Sequence, residues 1–155
     1  MITLSIAQVM RLQAKVIERT GGTPGIRDEA LLEWALMSPF QTYDGVEIYP
    51  STIAKIARIT YSLIRNHPFI DGNKRVGTYV MMVLFELNQI DTDIDDNEII
   101  NIGMGLAAGT IDYKQLEELL IRRMEKHTKT GHWLHEEEGT YGAGMNSNYQ
   151  SVNWR

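Results

Sequence analysis

The sequence contains no cysteine, and that absence excludes two structural devices at once. Neither disulfide bonds nor thiolate metal sites are available to the chain, and the lack of cysteine fits a reducing compartment. Also missing is any run of about 18 uninterrupted apolar residues, the length that a membrane-spanning helix needs. The N-terminus lacks the basic segment, apolar block and cleavage site of a secretory signal. These absences predict a soluble, cytoplasmic protein with no membrane partner.

Positive charge is scarce as well. The chain has 15 Lys and Arg residues against 20 Asp and Glu, a formal net charge of −5. Proteins that bind nucleic acids usually carry an excess of basic residues to neutralise phosphates, so we expect no direct DNA or RNA partner. One local exception is Lys74-Arg75, which lies beside glycine, asparagine and histidine. The length of 155 residues predicts one domain with its own core.

Apolar residues recur at helical spacing along most of the chain, and capping or turn residues divide them into six segments. The predicted helical segments run from Ser5 to Gly21, Asp28 to Pro39, Ser51 to His67, Asn73 to Asn88, Asp95 to Gly109 and Asp112 to Met124. The fourth segment is apolar on most sides, which indicates a buried central helix.

Residues 42–49, which we call the flap, have a different pattern. Asp44-Gly45 stands between Tyr43 and the alternating pair Val46 and Ile48, and this arrangement predicts a small β-hairpin. After residue 127 the composition changes to Gly, Asn, Ser, Thr and charged residues. We therefore predict a domain over residues 1–127 and a flexible C-terminal tail over residues 128–155.

Residues 67–75, which we call the motif loop, carry groups that suit phosphate chemistry. A turn through Gly72 into a helix start presents unpaired backbone N–H groups and the positive end of the helix dipole, and Lys74 and Arg75 add positive charge there. Asp71 is a suitable carboxylate for a magnesium ion that bridges phosphate oxygens. His67, on the other side of the turn, is a candidate general base for an attacking hydroxyl.

Each of these features also has a purely structural interpretation. A histidine at a helix end is commonly a cap, Asp-Gly-Asn is a common turn, and a Lys-Arg pair is usually a solvated surface. The combination between two apolar helices favours a functional site over coincidence. Phe69 is the exception within the loop, since we predict that it anchors the loop in the core and does not touch substrate.

The motif loop, His-Pro-Phe-Ile-Asp-Gly-Asn-Lys-Arg, resembles the signature of the Fic/Doc superfamily, His-Pro-Phe-x-(Asp/Glu)-Gly-Asn-Gly-Arg, at eight of nine positions. The departure is Lys74, because a lysine there is characteristic of the Doc, or death-on-curing, branch. The resemblance extends over about residues 3–125, including residues 21–25 and 106–111. It implies an all-α fold, a compact Fic/Doc helical bundle of about six helices with a short β-hairpin flap.

The resemblance also implies roles for individual residues. His67 matches the general base, Asp71 the Mg²⁺ ligand, and Asn73 and Arg75 the phosphate contacts, with Gly72 supplying the backbone turn. Lys74 matches the Doc lysine, which is thought to reverse the bound nucleotide so that the terminal phosphate faces the base. The flap is the position at which a target segment is held, and its residues are Tyr43, Asp44, Gly45, Val46, Glu47 and Ile48.

The function that the resemblance implies is that of a toxin from a toxin-antitoxin system. A Doc-like kinase transfers the γ-phosphate of ATP or another nucleoside triphosphate to a Ser/Thr hydroxyl of a translation factor resembling elongation factor Tu, and growth arrest follows. The inhibitory pattern (Ser/Thr)-x-x-x-Glu-(Gly/Asn) of self-restrained relatives is not met at Glu138-Gly139, where Leu134 takes the hydroxyl position. We therefore expect a separate antitoxin protein as partner.

Two alternatives remain from the same residues. A Fic-type enzyme would attach AMP or another NMP to a protein hydroxyl, because only Lys74 departs from that pattern. An inactive homologue that only binds an antitoxin would belong to a different class of protein, which the complete set of catalytic residues disfavours.

Overall fold

Helices make up nearly all of the regular structure in the computed structural model, which describes residues 1–129 and the side chains of residues 1–124. In chain order the elements are α1 (Ile6–Thr20), α2 (Glu29–Met37), a 3₁₀ turn (Ser38–Phe40), β1 (Thr42–Tyr43), β2 (Val46–Glu47), α3 (Thr52–Arg65), α4 (Asn73–Leu87), α5 (Asp96–Ala108) and α6 (Tyr113–Lys129). The prediction of an all-α fold with about six helices and one short hairpin is confirmed.

Local capping residues explain where the helices begin. Ser5 and Gln8 form the reciprocal capping box at the start of α1, and Asp112 and Gln115 form another before α6. Ser51 caps α3 through its side chain. Two boundaries differ from the prediction. Helix α6 continues past Met124 to Lys129, and α2 ends at Met37, after which the chain passes Pro39 as a 3₁₀ turn. Proline fits that turn better than an α-helix interior because it has no N–H to donate.

The core is centred on α3, which packs against α2, α4, α5 and α6. The predicted buried helix, α4, lies along it and contributes Val76, Val80, Met81 and Leu84, all fully buried. The two helices approach closely at Gly77, where an added Cβ would lie 2.5 Å from Cγ1 of Ile64. A glycine at this position therefore lets both backbones pack without displacing a core side chain.

The α1–α2 connection, residues 21–28, lies against the motif loop. Pro68 O accepts hydrogen bonds from the backbone N–H groups of Arg27 and Asp28, at 2.7 and 3.0 Å. Ile26 and Phe69 form an isolated antiparallel bridge. Two segments that are distant in sequence are thus joined by backbone hydrogen bonds at the end of the α3–α4 pair.

Some of the sequence-based predictions fall outside this description. Most of the predicted tail, residues 128–155, lies beyond the described residues, as does Glu138-Gly139. Within the described part of the chain, none of the helices has the length and apolar character required to cross a membrane.

Candidate active site

The motif loop begins with a sharp reversal at the end of α3. His67 has a left-handed backbone conformation with φ of 48°, which is uncommon for a residue with a side chain. The guanidinium of Arg27 holds this reversal, since Nε donates to the carbonyl of His67 at 2.6 Å and Nη2 donates to that of Asn66 at 2.8 Å. The His67 side chain is exposed, so a visiting hydroxyl can reach the imidazole from solvent.

Phe69 anchors the centre of the loop, as predicted, since it is only 1% exposed. The amide of Asn73 holds the same residue, because its Oδ1 accepts from Phe69 N at 2.9 Å and its Nδ2 donates to Phe69 O at 3.1 Å. Both ends of the Asn73 amide are therefore engaged with the loop backbone. The role predicted for Asn73, a phosphate contact, stays a prediction, while the structure gives it the separate task of fixing the loop.

Asp71 follows the anchor and is held from both sides. Its Oδ1 accepts from Gly72 N at 2.7 Å and lies 3.4 Å from Nη2 of Arg75, while its Oδ2 accepts from Thr23 N at 3.2 Å. The side chain remains 45% exposed. Gly22 makes the close approach possible, because an added Cβ would lie 2.4 Å from Oδ2 of Asp71. The carboxylate is thus fixed in position and open to solvent at the same time.

Gly72 turns the chain into α4 with a left-handed conformation, φ 76°, and takes the N-cap position without any side-chain cap. The first turn of a helix offers N–H groups that have no intrahelical acceptor, together with the positive end of the helix dipole. No acidic residue occupies this first turn. The start of α4 therefore has the properties of an anion-binding site, next to the carboxylate of Asp71.

The two basic residues of this turn point to different neighbours. Arg75 is mostly buried, with its side chain 15% exposed, and Nη1 donates to Thr20 Oγ1 at 2.6 Å and to Gly21 O at 2.7 Å. Lys74 is partly exposed, and its Nζ lies 3.8 Å from Sδ of Met104 on α5. A thioether is a weak acceptor, so the lysine is loosely held whereas the arginine ties α4 to the end of α1.

The flap forms the predicted hairpin, with Tyr43 opposite Val46 and Thr42 opposite Glu47. Asp44 and Gly45 at the turn both have positive φ, 51° and 75°, as a two-residue hairpin turn requires. All of the strand residues are exposed. The flap is anchored to the first turns of α3 through Glu47 and Lys55, and the motif loop follows the last turn of the same helix. Helix α3 has 14 residues and is therefore about 21 Å long.

A cluster of aromatic residues lies behind the flap. The ring of Tyr113 meets that of Tyr49 edge to face at 5.3 Å and that of Tyr61 at 6.3 Å, and the guanidinium of Arg58 lies over Tyr49 and Tyr61. Burial raises the pKa of the Tyr113 phenol, and its hydrogen bond to Glu117 raises that pKa further. On α4, burial likewise raises the pKa of Tyr79, against the opposing effect of Arg19.

Sequence reasoning missed three residues that build this site. Gln13 is 3% exposed, and its amide donates to Asp71 O at 3.3 Å and accepts from Gly25 N at 3.2 Å. Its position within the apolar stripe of α1 was a usable indication, because a polar residue on a buried face requires partners. Gly22 lies within residues 21–25, which the resemblance included without assigning it a role at the site, and Arg27 carried no comparable indication in the sequence.

The residues around Asp71 fit a magnesium ion whose coordination shell is completed by the phosphates of a bound substrate. Mg²⁺ commonly uses one or two carboxylates and takes its remaining ligands from phosphate and water. Within the described residues no group of three or more His, Cys, Asp or Glu side chains is arranged to hold a metal by itself. A half-exposed, rigidly placed carboxylate beside an uncapped helix start matches a site that binds metal together with a nucleotide.

The helical fold, together with a His-Pro-Phe loop between two core helices, defines the structural class of this protein. The chain belongs to the Fic/DOC family, whose family model matches residues 3–85 and so includes the motif loop. The chain is similar to Toxin Doc from Mycolicibacterium smegmatis (strain ATCC 700084 / mc(2)155), with 37% identity over 82 residues. The similar segment covers 50% of this chain and 63% of that relative.

Proposed function

We propose that this chain is a toxin that transfers a phosphoryl group from a nucleoside triphosphate to a Ser/Thr hydroxyl of a translation factor, with an antitoxin protein as its partner. One observation carries the proposal: an exposed imidazole, a fixed carboxylate and an uncapped helix start occur within the single loop from His67 to Arg75. The similarity to Toxin Doc supports the toxin assignment and the expectation of an antitoxin.

The chemistry follows from that arrangement. The target hydroxyl oxygen attacks the γ-phosphorus, the bond from that phosphorus to the bridging oxygen breaks, and the nucleoside diphosphate leaves. His67 takes the proton of the hydroxyl, while the amides at the start of α4 and the charge of Arg75 stabilise the phosphate oxygens. A Mg²⁺ ion at Asp71, when bound, neutralises further phosphate charge.

Nucleotidyl transfer is the alternative, and the placement of Lys74 supports keeping it. Among the described side chains, the amine of Lys74 contacts only the thioether of Met104, a weak acceptor. It is therefore not tied over the motif loop, where it would exclude the α- and β-phosphates of the other nucleotide orientation. The two reactions differ in which phosphorus is attacked, and the product mass therefore separates them.

The decisive experiment measures intact mass after incubation of the protein with ATP, Mg²⁺ and elongation factor Tu. Phosphoryl transfer adds about 80 Da to the target, whereas AMP transfer adds about 329 Da. His67→Ala should lower the rate by about 10²–10⁴-fold because the hydroxyl loses its proton acceptor. Lys114→Ala, at an exposed position on α6, is the matched surface control.

A second variant tests the orientation of the nucleotide. Lys74→Gly restores the nucleotidyl-transferase form of the loop, at a helix cost of about 1 kcal/mol. We expect it to lose the 80 Da product, and a gain of the 329 Da product would support reversal by the lysine. Full transferase activity and full growth arrest in His67→Ala would refute the proposed mechanism.

A further inference from the structure

Lys55 is an unusual residue for the interior of this protein. It lies on α3 and is 6% exposed, and it is the only charged residue among those that are buried in the described part of the chain. Burying an ammonium group is costly unless charged or polar partners replace its water. Its partners therefore indicate what the buried charge accomplishes.

The partners of Lys55 are all in the flap or directly before it. Nζ lies 3.0 Å from Oε1 of Glu47 and also donates to the carbonyl of Tyr49. It lies 5.8 Å from the ring centre of Phe40, which precedes β1. One ammonium group thus holds the chain both where it enters the hairpin and where it leaves.

Apart from Lys55, the flap is held mainly at its exit, where Tyr49 packs edge to face against Tyr113 and lies beneath Arg58. The strands of the hairpin are two residues long and exposed, and a two-stranded hairpin is only marginally stable by itself in water. One further backbone hydrogen bond, from Ile48 N to Gln41 O at 3.2 Å, closes the base of the hairpin. Lys55 therefore holds the hairpin through Glu47 on β2 and through Phe40 at the entry, whereas the aromatic cluster helps to hold the exit at Tyr49.

The same contacts determine which side of the flap faces solvent. Side chains alternate along a strand, so with Glu47 turned towards Lys55, Val46 and Ile48 point to the other face. Tyr43 is the cross-strand neighbour of Val46 and shares its face. The exposed fraction is 68% for Val46, 48% for Ile48 and 80% for Tyr43. An apolar face of the flap is therefore available to an incoming segment.

We propose that Lys55 is a positioning residue for the protein substrate: it fixes the flap so that an extended target segment with apolar side chains at alternate positions can align along it. The proposal rests on the proposed function for the identity of the substrate. An extended segment that adds to a strand gains main-chain hydrogen bonds only if the edge is already ordered, so a loose flap weakens target binding. Among the described residues, the contacts of Lys55 are with Glu47, Tyr49 and Phe40 and none is with the motif loop, so we expect nucleotide binding to be independent of Lys55.

The test combines Lys55→Met, which keeps the length of the stem without the charge, with Lys55→Arg as the conservative variant. Lys114→Met is the matched control on the surface. The first measurement is amide hydrogen exchange of residues 42–49 in the protein alone. We expect exchange to be faster by about tenfold or more in Lys55→Met, unchanged in Lys114→Met and largely restored in Lys55→Arg.

The second measurement is the kinetics of transfer to elongation factor Tu. We expect Lys55→Met to raise the KM for the protein substrate by about tenfold, with kcat and the KM for ATP within about twofold of the wild-type values. Glu47→Gln, a surface change that retains an acceptor, should have an intermediate effect and serves if Lys55→Met folds poorly.

The outcomes separate this inference from the function on which it rests. Unchanged exchange in Lys55→Met overturns the anchoring, and faster exchange without a change in the protein KM overturns the positioning role. If wild-type protein modifies no target, the proposed function fails and the substrate role of Lys55 fails with it, while the exchange data still decide whether Lys55 anchors the flap.

Discussion

Replacing Gln13 by methionine tests how the site is held in place. The amide bridges two loops, donating to Asp71 O and accepting from Gly25 N, and methionine has a similar volume but provides neither bond. Each hydrogen bond contributes about 0.5–1.5 kcal/mol, and an unpaired buried group costs about 1–3 kcal/mol. Gly25 and Asp71 are partly exposed, so water can replace some of the loss. We expect the free energy of unfolding to fall by about 1–2 kcal/mol, measured by urea denaturation.

Gln13→Glu sharpens the test through pH. A protonated glutamic acid keeps one donor and one acceptor, whereas a buried carboxylate faces the carbonyl of Asp71 without a proton to donate. Burial raises the pKa of the introduced carboxyl above its unfolded value of about 4.3, so its contribution to stability is present at low pH and is lost as pH rises through the folded pKa. Relative to wild type, we therefore expect a small deficit near pH 4 and a larger one at pH 7.

Val16→Ala is the control on the same helix. Val16 is 3% exposed like Gln13, but it lies in the apolar core and its loss removes only packing. Val16→Ala and the two Gln13 variants should all be less stable than wild type, yet only the Gln13 variants should displace Asp71. Mn²⁺ affinity in the presence of ATP should then fall by about tenfold in Gln13→Met and remain unchanged in Val16→Ala. Wild-type stability in Gln13→Met, or a pH-independent deficit in Gln13→Glu, would refute the bridging role.

Two further predictions concern packing and pH. Gly77→Ala should lower the free energy of unfolding, measured by urea denaturation, by about 1 kcal/mol. Overpacking of the new Cβ against Ile64 at 2.5 Å costs about 1–3 kcal/mol, which outweighs a helix-propensity gain of about 1 kcal/mol. Higher stability of the variant would contradict the close approach. The pKa of Tyr113 is raised by burial and by Glu117, so the stability that its neutral phenol provides is complete below about pH 10 and is lost as pH rises through the folded pKa. Unfolding measured between pH 9 and 11.5 should show this decline, and Tyr113→Phe should flatten it, whereas equal slopes would exclude Tyr113 as its source.

The local features of this protein could be predicted because their causes are short-range. The side chains of Ser5, Asp28, Ser51 and Asp95 each accept from a backbone N–H three residues later, so a window of a few residues contains the whole interaction. The motif loop and the flap turn were predictable for the same reason, since consecutive residues carry their chemistry and conformation. The family model matches residues 3–85, a continuous segment that includes both the flap and the motif loop.

Only the tertiary structure decided how these pieces are supported. Gln13 reaches Asp71 across 58 positions, and Arg27 reaches His67 across 40, so no local pattern could pair them. The amide of Asn73 turns to the backbone of Phe69. Lys55 becomes a buried anchor because the packing of α3 removes its ammonium group from water. The sequence by itself determined which chemical groups the site contains, because their spacing is short-range. The fold decided which of these groups are held and which partners hold them, because burial and long-range contacts exist only once the helices have packed.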